Sequence, residues 1–184
     1  MAKILIPLAE GFEEIEAVAL IDILRRGELD VLVYGVGSKK VCGAHGIVVE
    51  CDGLIEESRV EELDMILLPG GWGGTRRLAE DGYVLKLLQD MDEKGKIVGA
   101  MCAAPFALRK AGVLRGEFTC YPGAREEIGV EGYTDKAMVV TSGNIMTSQG
   151  PGTAMCFGLE IVRRFRGDGI YNALKRGMLI DSCR

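Results

Sequence analysis

Two stretches of this sequence, and an acidic cluster near its start, carry residue types that can do chemistry together. The first stretch is Lys96-Ile97-Val98-Gly99-Ala100-Met101-Cys102-Ala103-Ala104-Pro105-Phe106-Ala107-Leu108. It reads as an apolar strand from Ile97 to Met101, one cysteine, then a helix that begins at once. A strand passing straight into a helix makes a sharp turn. The side chain on that turn is pushed out at the carboxyl end of the strand. This is the geometry of a nucleophile elbow, with sulfur in place of oxygen. At the start of a helix, Cys102 would face backbone N–H groups and the positive end of the helix dipole, which favour a thiolate. A buried core cysteine is the simpler alternative, because free Cys is among the most buried residue types.

The second stretch is Pro69-Gly70-Gly71-Trp72-Gly73-Gly74-Thr75, after the apolar run Met65 to Leu68. Its glycines can present bare backbone N–H groups. It is neither G-x-x-x-x-G-K-[ST] nor G-x-G-x-x-G, so a nucleotide reading fails on spacing. An oxyanion hole needs only two donors aimed at a developing negative charge. A tight turn requiring positive φ is the alternative; an elbow in the same chain favours the oxyanion reading. The acidic cluster is Glu13, Glu14 and Glu16. All three suit a helix N-terminus. Glu14 and Glu16 are about 200° apart around a helix, so they cannot share a role. A carboxyl turned inward beside a thiol would be desolvated and its pKa would rise. Protonated, it could donate a hydrogen bond to a thiolate.

These residues need elements to position them, and the chain supplies strands and helices in alternation. Lys3 to Leu8 reads as a strand and Glu13 to Arg26 as a helix, acidic at its start and basic at its end. The middle of that helix, Ala17 to Leu24, is apolar on more than one face, so one side fits a sheet and another fits a neighbouring element or a second subunit. Asp30 to Val36 is β-branched and nearly continuous, as a parallel strand covered on both faces should be. A Gly-rich edge hairpin follows, over Lys40 to Val41 and Gly46 to Glu50. Further strands fall at 65–68, 97–101, 118–121, 137–141 and 144–148. Helical patterns cover 75–79, 83–94, the segment to about Ala111, a turn at 124–128, 150 to about 165, and 169–176. This alternation predicts one α/β domain over 1–184, with a doubly wound, mostly parallel sheet and helices on both faces. Ligands in such folds bind beyond the carboxyl ends of the strands. The loops after Leu8 and Leu68 and the elbow after Met101 all end there.

Composition excludes several function classes. The chain has 184 residues, 48% hydrophobic and 27% charged, with a net charge of −5. The negative charge provides no footprint for nucleic acid. No apolar run reaches membrane-spanning length. The run Ile4 to Pro7 is too short for a signal peptide, so a cytoplasmic protein is expected. The six cysteines include no C-x-x-C pair, and His45 is the sole histidine. That spacing supports no zinc site. In a cytoplasmic context the thiols are expected to be mostly reduced. Cys156 falls at helical spacing with Phe157 and Leu159 and reads as core. Cys42, Cys51 and Cys183 have no activating context.

Four motifs in order resemble the ThiJ/PfpI superfamily, closest to its branch of the Parkinsonism-linked protein deglycase (DJ-one). They are Gly11-Phe12-Glu13-Glu14-Ile15-Glu16, Leu67-Leu68-Pro69-Gly70-Gly71, Ala100-Met101-Cys102-Ala103-Ala104-Pro105 and Thr147-Ser148-Gln149-Gly150-Pro151-Gly152-Thr153. Each is weak alone; together they span nearly the whole chain. The resemblance implies a flavodoxin-like domain, a homodimer, and no cofactor or metal. It makes Cys102 the reactive, oxidisable thiol and Glu16 the carboxylic acid bonded to it. Gly70, Gly71 and the N–H of Ala103 become the oxyanion site. Arg26 becomes a residue reaching the neighbouring subunit's pocket, and Pro151 part of a loop beside the site. A dimer contact through the helix at Glu13 to Arg26 fits its all-round apolar pattern.

The sequence also departs from the family. Tyr121 stands where a histidine is frequent, and Gln149 where an arginine is. His45 aligns with an arginine in the edge segment; it is either a pocket residue or part of a solvated hairpin. Trp72 either walls the pocket or packs on the surface. Without the histidine, a general base of near-neutral pKa is missing, which counts against peptidase chemistry. The resemblance then implies a glyoxalase or deglycase acting on a small α-oxoaldehyde such as methylglyoxal, or on a glycated protein. The alternative is a stress-response, chaperone-like dimer whose Cys102 senses peroxide by oxidation to sulfinate.

Overall fold

The structure, a computed structural model, describes residues 1–183. Its strands are β1 (Lys3–Leu8), β2 (Asp30–Gly35), β3 (Lys40–Cys42), β4 (Val48–Glu50), β5 (Gly53–Leu54), β6 (Met65–Leu68), β7 (Ile97–Met101), β8 (Val139–Ser142) and β9 (Ile145–Ser148). Its helices are α1 (Glu14–Arg26), α2 (Trp72–Glu80), α3 (Gly82–Glu93), α4 (Pro105–Lys110), α5 (Arg125–Ile128) and α6 (Ala154–Gly177). Seven strands form one sheet in the order β5-β2-β1-β6-β7-β9-β8. All pairs are parallel except β8 with β9. The run β2-β1-β6-β7-β9 has the 2-1-3-4-5 order of a flavodoxin-like doubly wound sheet.

Strand alternation builds two cores. Ile4, Ile6 and Leu8 of β1 and Met65 and Leu67 of β6 face one side, packed with Leu20, Ile23 and Leu24 of α1 and Phe157 and Ile161 of α6. Leu5, Ile66 and Leu68 face the other, with Leu78 of α2, Leu88 of α3 and Leu108 of α4. A period of two sends neighbouring residues to opposite faces, and helices cover both.

Pro7 lies inside β1, a central strand, where a missing N–H would ordinarily break a ladder. Pairing of β1 with β6 covers only Ile4↔Met65 and Leu5↔Ile66, so Pro7 lies beyond it and is paired only with Tyr34 of β2. The two strands part there, at the point where the winding direction reverses. Such a reversal is where doubly wound sheets bind ligands.

Three expectations need correction. Residues 118–121 form no strand. They make one isolated bridge, Phe118↔Tyr133, because Thr119 N–H is taken by Thr147 Oγ1 (2.9 Å) and Tyr121 N–H by the Cys102 carbonyl (2.9 Å). The hairpin β3–β4 forms a two-stranded sheet of its own, not an edge of the large one. The thiols are not all reduced: Cys156 and Cys183 form a disulfide, their Cα atoms 5.2 Å apart across a separation of 27 residues. The segment after α6 folds back onto that helix, which spacing alone did not reveal. The two expected C-terminal helices are present as the two parts of α6, separated by non-helical backbone at Gly167, where φ is 80° and ψ 176°.

Candidate active site

The three loops converge. Glu13 N–H donates to the Gly70 carbonyl (2.9 Å), and Gly71, with φ 85°, packs against Gly11 and Phe12. Glu16 lies in the first turn of α1 and is fully buried; its Oε2 accepts the Gly70 N–H at 2.7 Å. Gly70 sits directly against both chemical groups. A methyl group built on it would lie 2.5 Å from Cys102 Cβ, 2.7 Å from Glu16 Oε2 and 3.1 Å from Cys102 Sγ.

Cys102 has φ 60°, a left-handed conformation that costs a non-glycine residue on the order of 1 kcal/mol or more. Two backbone bonds hold it there. Its N–H donates to the Ser148 carbonyl (3.0 Å) and its carbonyl accepts from Tyr121 (2.9 Å). Ser148 is itself fixed, its hydroxyl donating to the Met138 carbonyl at 2.7 Å and lying 2.8 Å from Thr153 Oγ1. Ser148 belongs to a motif the sequence reading recognised, yet its bracing of the elbow could not be read there.

The helix after the elbow starts later than the sequence suggests. Residues 102–104 are a turn, and α4 begins at Pro105 with Ala104 as its cap. Cys102 is therefore not the first residue of a helix, and a six-residue helix has little dipole to offer. The donors that favour its charge are individual N–H groups, those of Gly71 and Ala103. Gly70 does not join them, because its N–H is committed to Glu16. Of the three donors expected for an oxyanion, only the N–H groups of Gly71 and Ala103 are left for one.

Glu16 and Cys102 act as one electrostatic unit. Burial lifts the Glu16 carboxyl from 4.5 to about 7, against the lowering effect of its hydrogen bonds to Cys102 and Gly70. Its Oε1 is buried without a hydrogen-bond partner, and the side chain that the carboxyl contacts is Cys102. The Cys102 thiol is pushed up to about 12, first by burial, then by the charge on Glu16 and the bond to it. A second negative charge is excluded from the pair. Burial and the charge on Glu16 both oppose a thiolate at Cys102, so the backbone donors alone do not account for one and its titration is coupled to Glu16.

The remaining expected residues divide. The ring of Tyr121 is half exposed and lines a shallow depression of about 210 Å³ with Pro151 and Gln149. Trp72 packs edge-on against Phe106, ring centroids 5.8 Å apart, under the guanidinium of Arg76. This packs Trp72 between α2 and α4, partly buried against the core. Arg26 Nε donates to Asp22 at 2.8 Å. It closes α1, ten residues and so about 15 Å of helix from Glu16, and is not part of the Cys102 site within one chain. His45 is neither a pocket residue nor free. Its Nδ1 lies 2.9 Å from Glu14 Oε2, and its backbone N–H donates to Glu14 Oε1 at 2.6 Å.

Glu14 was missed as a structural anchor. Its carboxylate is lowered to about 2: burial would raise it, and the bonds from His45 and Ile47 outweigh that. It ties the β3–β4 hairpin to the start of α1. Gly43, which abuts the Glu14 side chain, is the sequence signal that could have revealed it. Glu13, Glu14 and His45 place three ligand-type atoms within 4.8 Å of one another, but both oxygens of Glu14 are already engaged by the hairpin.

Residues 2–164 match the DJ-1/PfpI family. The chain belongs to that family. It is 34% identical over 179 residues to Protein dj-1beta of Drosophila melanogaster, covering 96% of each chain. The crystal structure of that Drosophila protein superposes with a TM-score of 0.93 at 33% identity, covering 97% of this chain and 98% of the other. The chain is also 34% identical over 180 residues to the Caenorhabditis elegans protein named glutathione-independent glyoxalase DJR-1.2, covering 97% of this chain and 96% of that protein. It spans 43% of the length of the DJ-1 homolog A of Arabidopsis thaliana and 38% of homolog B. Among the described residues, no helix is long and apolar enough to cross a membrane.

Proposed function

We propose that this chain is a cysteine-dependent enzyme of the glyoxalase or deglycase type, acting on small α-oxoaldehydes such as methylglyoxal or on their protein adducts. The observation that carries this reading is the Glu16 carboxyl, raised to about 7 and packed with Gly70 against Cys102. The name of the nematode relative supports it.

The Glu16–Cys102 pair holds one negative charge. Two N–H groups serve the sulfur and one serves the carboxyl, and the sulfur is the more exposed of the two. In the reactive form Glu16 carries the proton and donates it toward the thiolate. The sulfur adds to the aldehyde carbon, and the carbonyl π electrons move onto oxygen. That oxygen accepts from Gly71 and Ala103 and takes the Glu16 proton, which leaves Glu16 as the carboxylate. The Glu16 carboxylate then removes the hydrogen from the former aldehyde carbon and returns it to the adjacent carbon, while the hydroxyl proton passes to the former ketone oxygen. The result is a thioester of a 2-hydroxy acid. Water cleaves the thioester, which frees the hydroxy acid and restores the thiol. The net change is addition of one water to the α-oxoaldehyde, with no external redox partner.

We also place a homodimer contact on the outer face of α1. Ile15 is 61% exposed and Val18 49%, and Ile47 and Val48 of the neighbouring hairpin are 56% and 58% exposed. Contiguous apolar exposure of this kind marks an interaction surface. Arg26, at the end of the same helix, would reach a partner's pocket only through such a contact.

Steady-state turnover of methylglyoxal by Cys102→Ser tests the enzymatic reading. A loss of at least 100-fold is expected, since the serine hydroxyl is a far weaker nucleophile at neutral pH. Turnover equal to the parent would overturn it.

A further inference from the structure

The Cys156–Cys183 disulfide lies away from the Cys102 chemistry and tethers a segment that little else holds. The segment 178–183 follows α6. Leu179 leads it out with φ 56° and is 86% exposed. Ile180 is buried, and the Lys175 ammonium donates to the Cys183 carbonyl. Three backbone bonds run from this segment to α6: Met178 N–H to Leu174, Leu179 N–H to Arg176 and Ile180 N–H to Lys175. Ile180, the partly buried Met178 and one lysine are thus the main non-covalent side-chain anchors.

The two half-cystines are themselves buried, at 4% and 3% exposure. Both nevertheless wall a cavity of about 350 Å³, together with Met138, Val139 and Thr141 at the sheet's β8 edge. Lys136 and Glu160 line the same cavity with opposite charges, and Lys175 reaches the Cys183 backbone. A cavity admits a small thiol reagent, and the two lysines offset the Glu160 carboxylate for the thiolates that form when the bond opens.

We propose that Cys156–Cys183 is a redox-active modification site that latches the segment 178–183 over this cavity. Its substrates are small dithiols and small-molecule disulfides. In opening, a reagent thiolate attacks one sulfur and the S–S bond breaks, giving a mixed disulfide and one cysteine thiolate. The reagent's second thiolate attacks its own sulfur in that mixed disulfide and expels the second cysteine thiolate. The reagent leaves oxidised, and the two cysteines take up its two protons. Closing is the reverse, with a small-molecule disulfide as oxidant. Open, the segment leaves α6 and exposes the cavity beside β8. The site works without Cys102, so it stands or falls independently of the glyoxalase reading.

Hydrogen exchange read by mass spectrometry on the full chain tests the latch, using the parent, Cys156→Ser and Cys183→Ser. Each is measured after dithiothreitol and after oxidised glutathione. In the parent, reduction is expected to speed exchange at residues 178–180 at least tenfold while the central strands keep their protection. Oxidised glutathione is expected to restore protection together with a Cys156–Cys183 linked peptide. Both variants should stay in the fast state under either treatment. Exchange at 178–180 within twofold between the two states of the parent would overturn the latch. So would failure of the linked peptide to re-form, or loss of protection through the whole sheet, which would make the bond a structural cross-link.

Discussion

At Gly70 there is no room for a side chain, and this one position joins the acid to the thiol. A methyl group there would meet Cys102 Cβ at 2.5 Å, backed by the fixed elbow, and Glu16 Oε2 at 2.7 Å. Gly70→Ala must therefore push the two groups apart or shift the loop, at a cost of about 1–3 kcal/mol for overpacking. We expect kcat/KM for methylglyoxal to fall at least tenfold and the melting temperature to drop; parent-like values of both would contradict the packing described. At this scale the sequence showed Cys102 plainly, because an elbow has a local pattern. It showed that Glu14 and Glu16 must diverge, since they lie about 200° apart on a helix. It did not show where each goes without the family resemblance. Glu16 meets Gly70 and Glu14 meets His45, and both partners lie more than 25 positions away.

At the scale of elements, α1 carries two functions on two faces. Its inner face buries Ala17, Leu20, Ile23 and Leu24 and delivers Glu16 to the elbow. Its outer face leaves Ile15 and Val18 exposed beside Ile47 and Val48 of the hairpin. The two-sided apolar pattern was legible in the sequence, as were the central strands, whose β-branched runs are locally consistent with parallel pairing. The segment at 118–121 was misread because its apolar pattern is that of a strand, while its backbone partners are a threonine side chain and the elbow itself. Sedimentation tests the outer face. At micromolar concentration the parent is expected to sediment as a dimer and Val18→Asp as a monomer with unchanged secondary structure. A monomeric parent, or an unaltered dimer in the variant, would remove α1 from the interface.

At the scale of the whole molecule, the sheet places a buried acid and a thiol where its winding reverses, and the fold's charge balance follows from that. Glu16 binds its proton more tightly in the folded chain, with its pKa raised from 4.5 to about 7. The stability it contributes is complete below pH 4.5 and is lost as pH rises through 7. Glu14, lowered from 4.5 to about 2, does the opposite: its contribution is present above pH 4.5 and is lost as pH falls toward 2. The doubly wound, mostly parallel sheet was legible as strand–helix alternation, and its strand order was not. The disulfide was not, because only the folded path of the segment after α6 brings Cys183 to Cys156. A buried acid beside Cys102 was legible in the acidic cluster, and the resemblance named Glu16; the burial that raises the thiol itself was not legible. The central claim is that Glu16 carries the proton and Cys102 the charge. The pH profile of Cys102 alkylation by iodoacetamide, in the parent and in Glu16→Gln, tests it most directly. The pair loses its first proton near 7. The account predicts that the sulfur takes the resulting charge, so that alkylation of the parent rises around that pH, below the ordinary thiol value of about 8.5, and at higher pH in Glu16→Gln, where an amide replaces the acid's stronger donor. A parent profile at or above 8.5 that moves downward in Glu16→Gln would place the charge on the carboxylate and contradict the account.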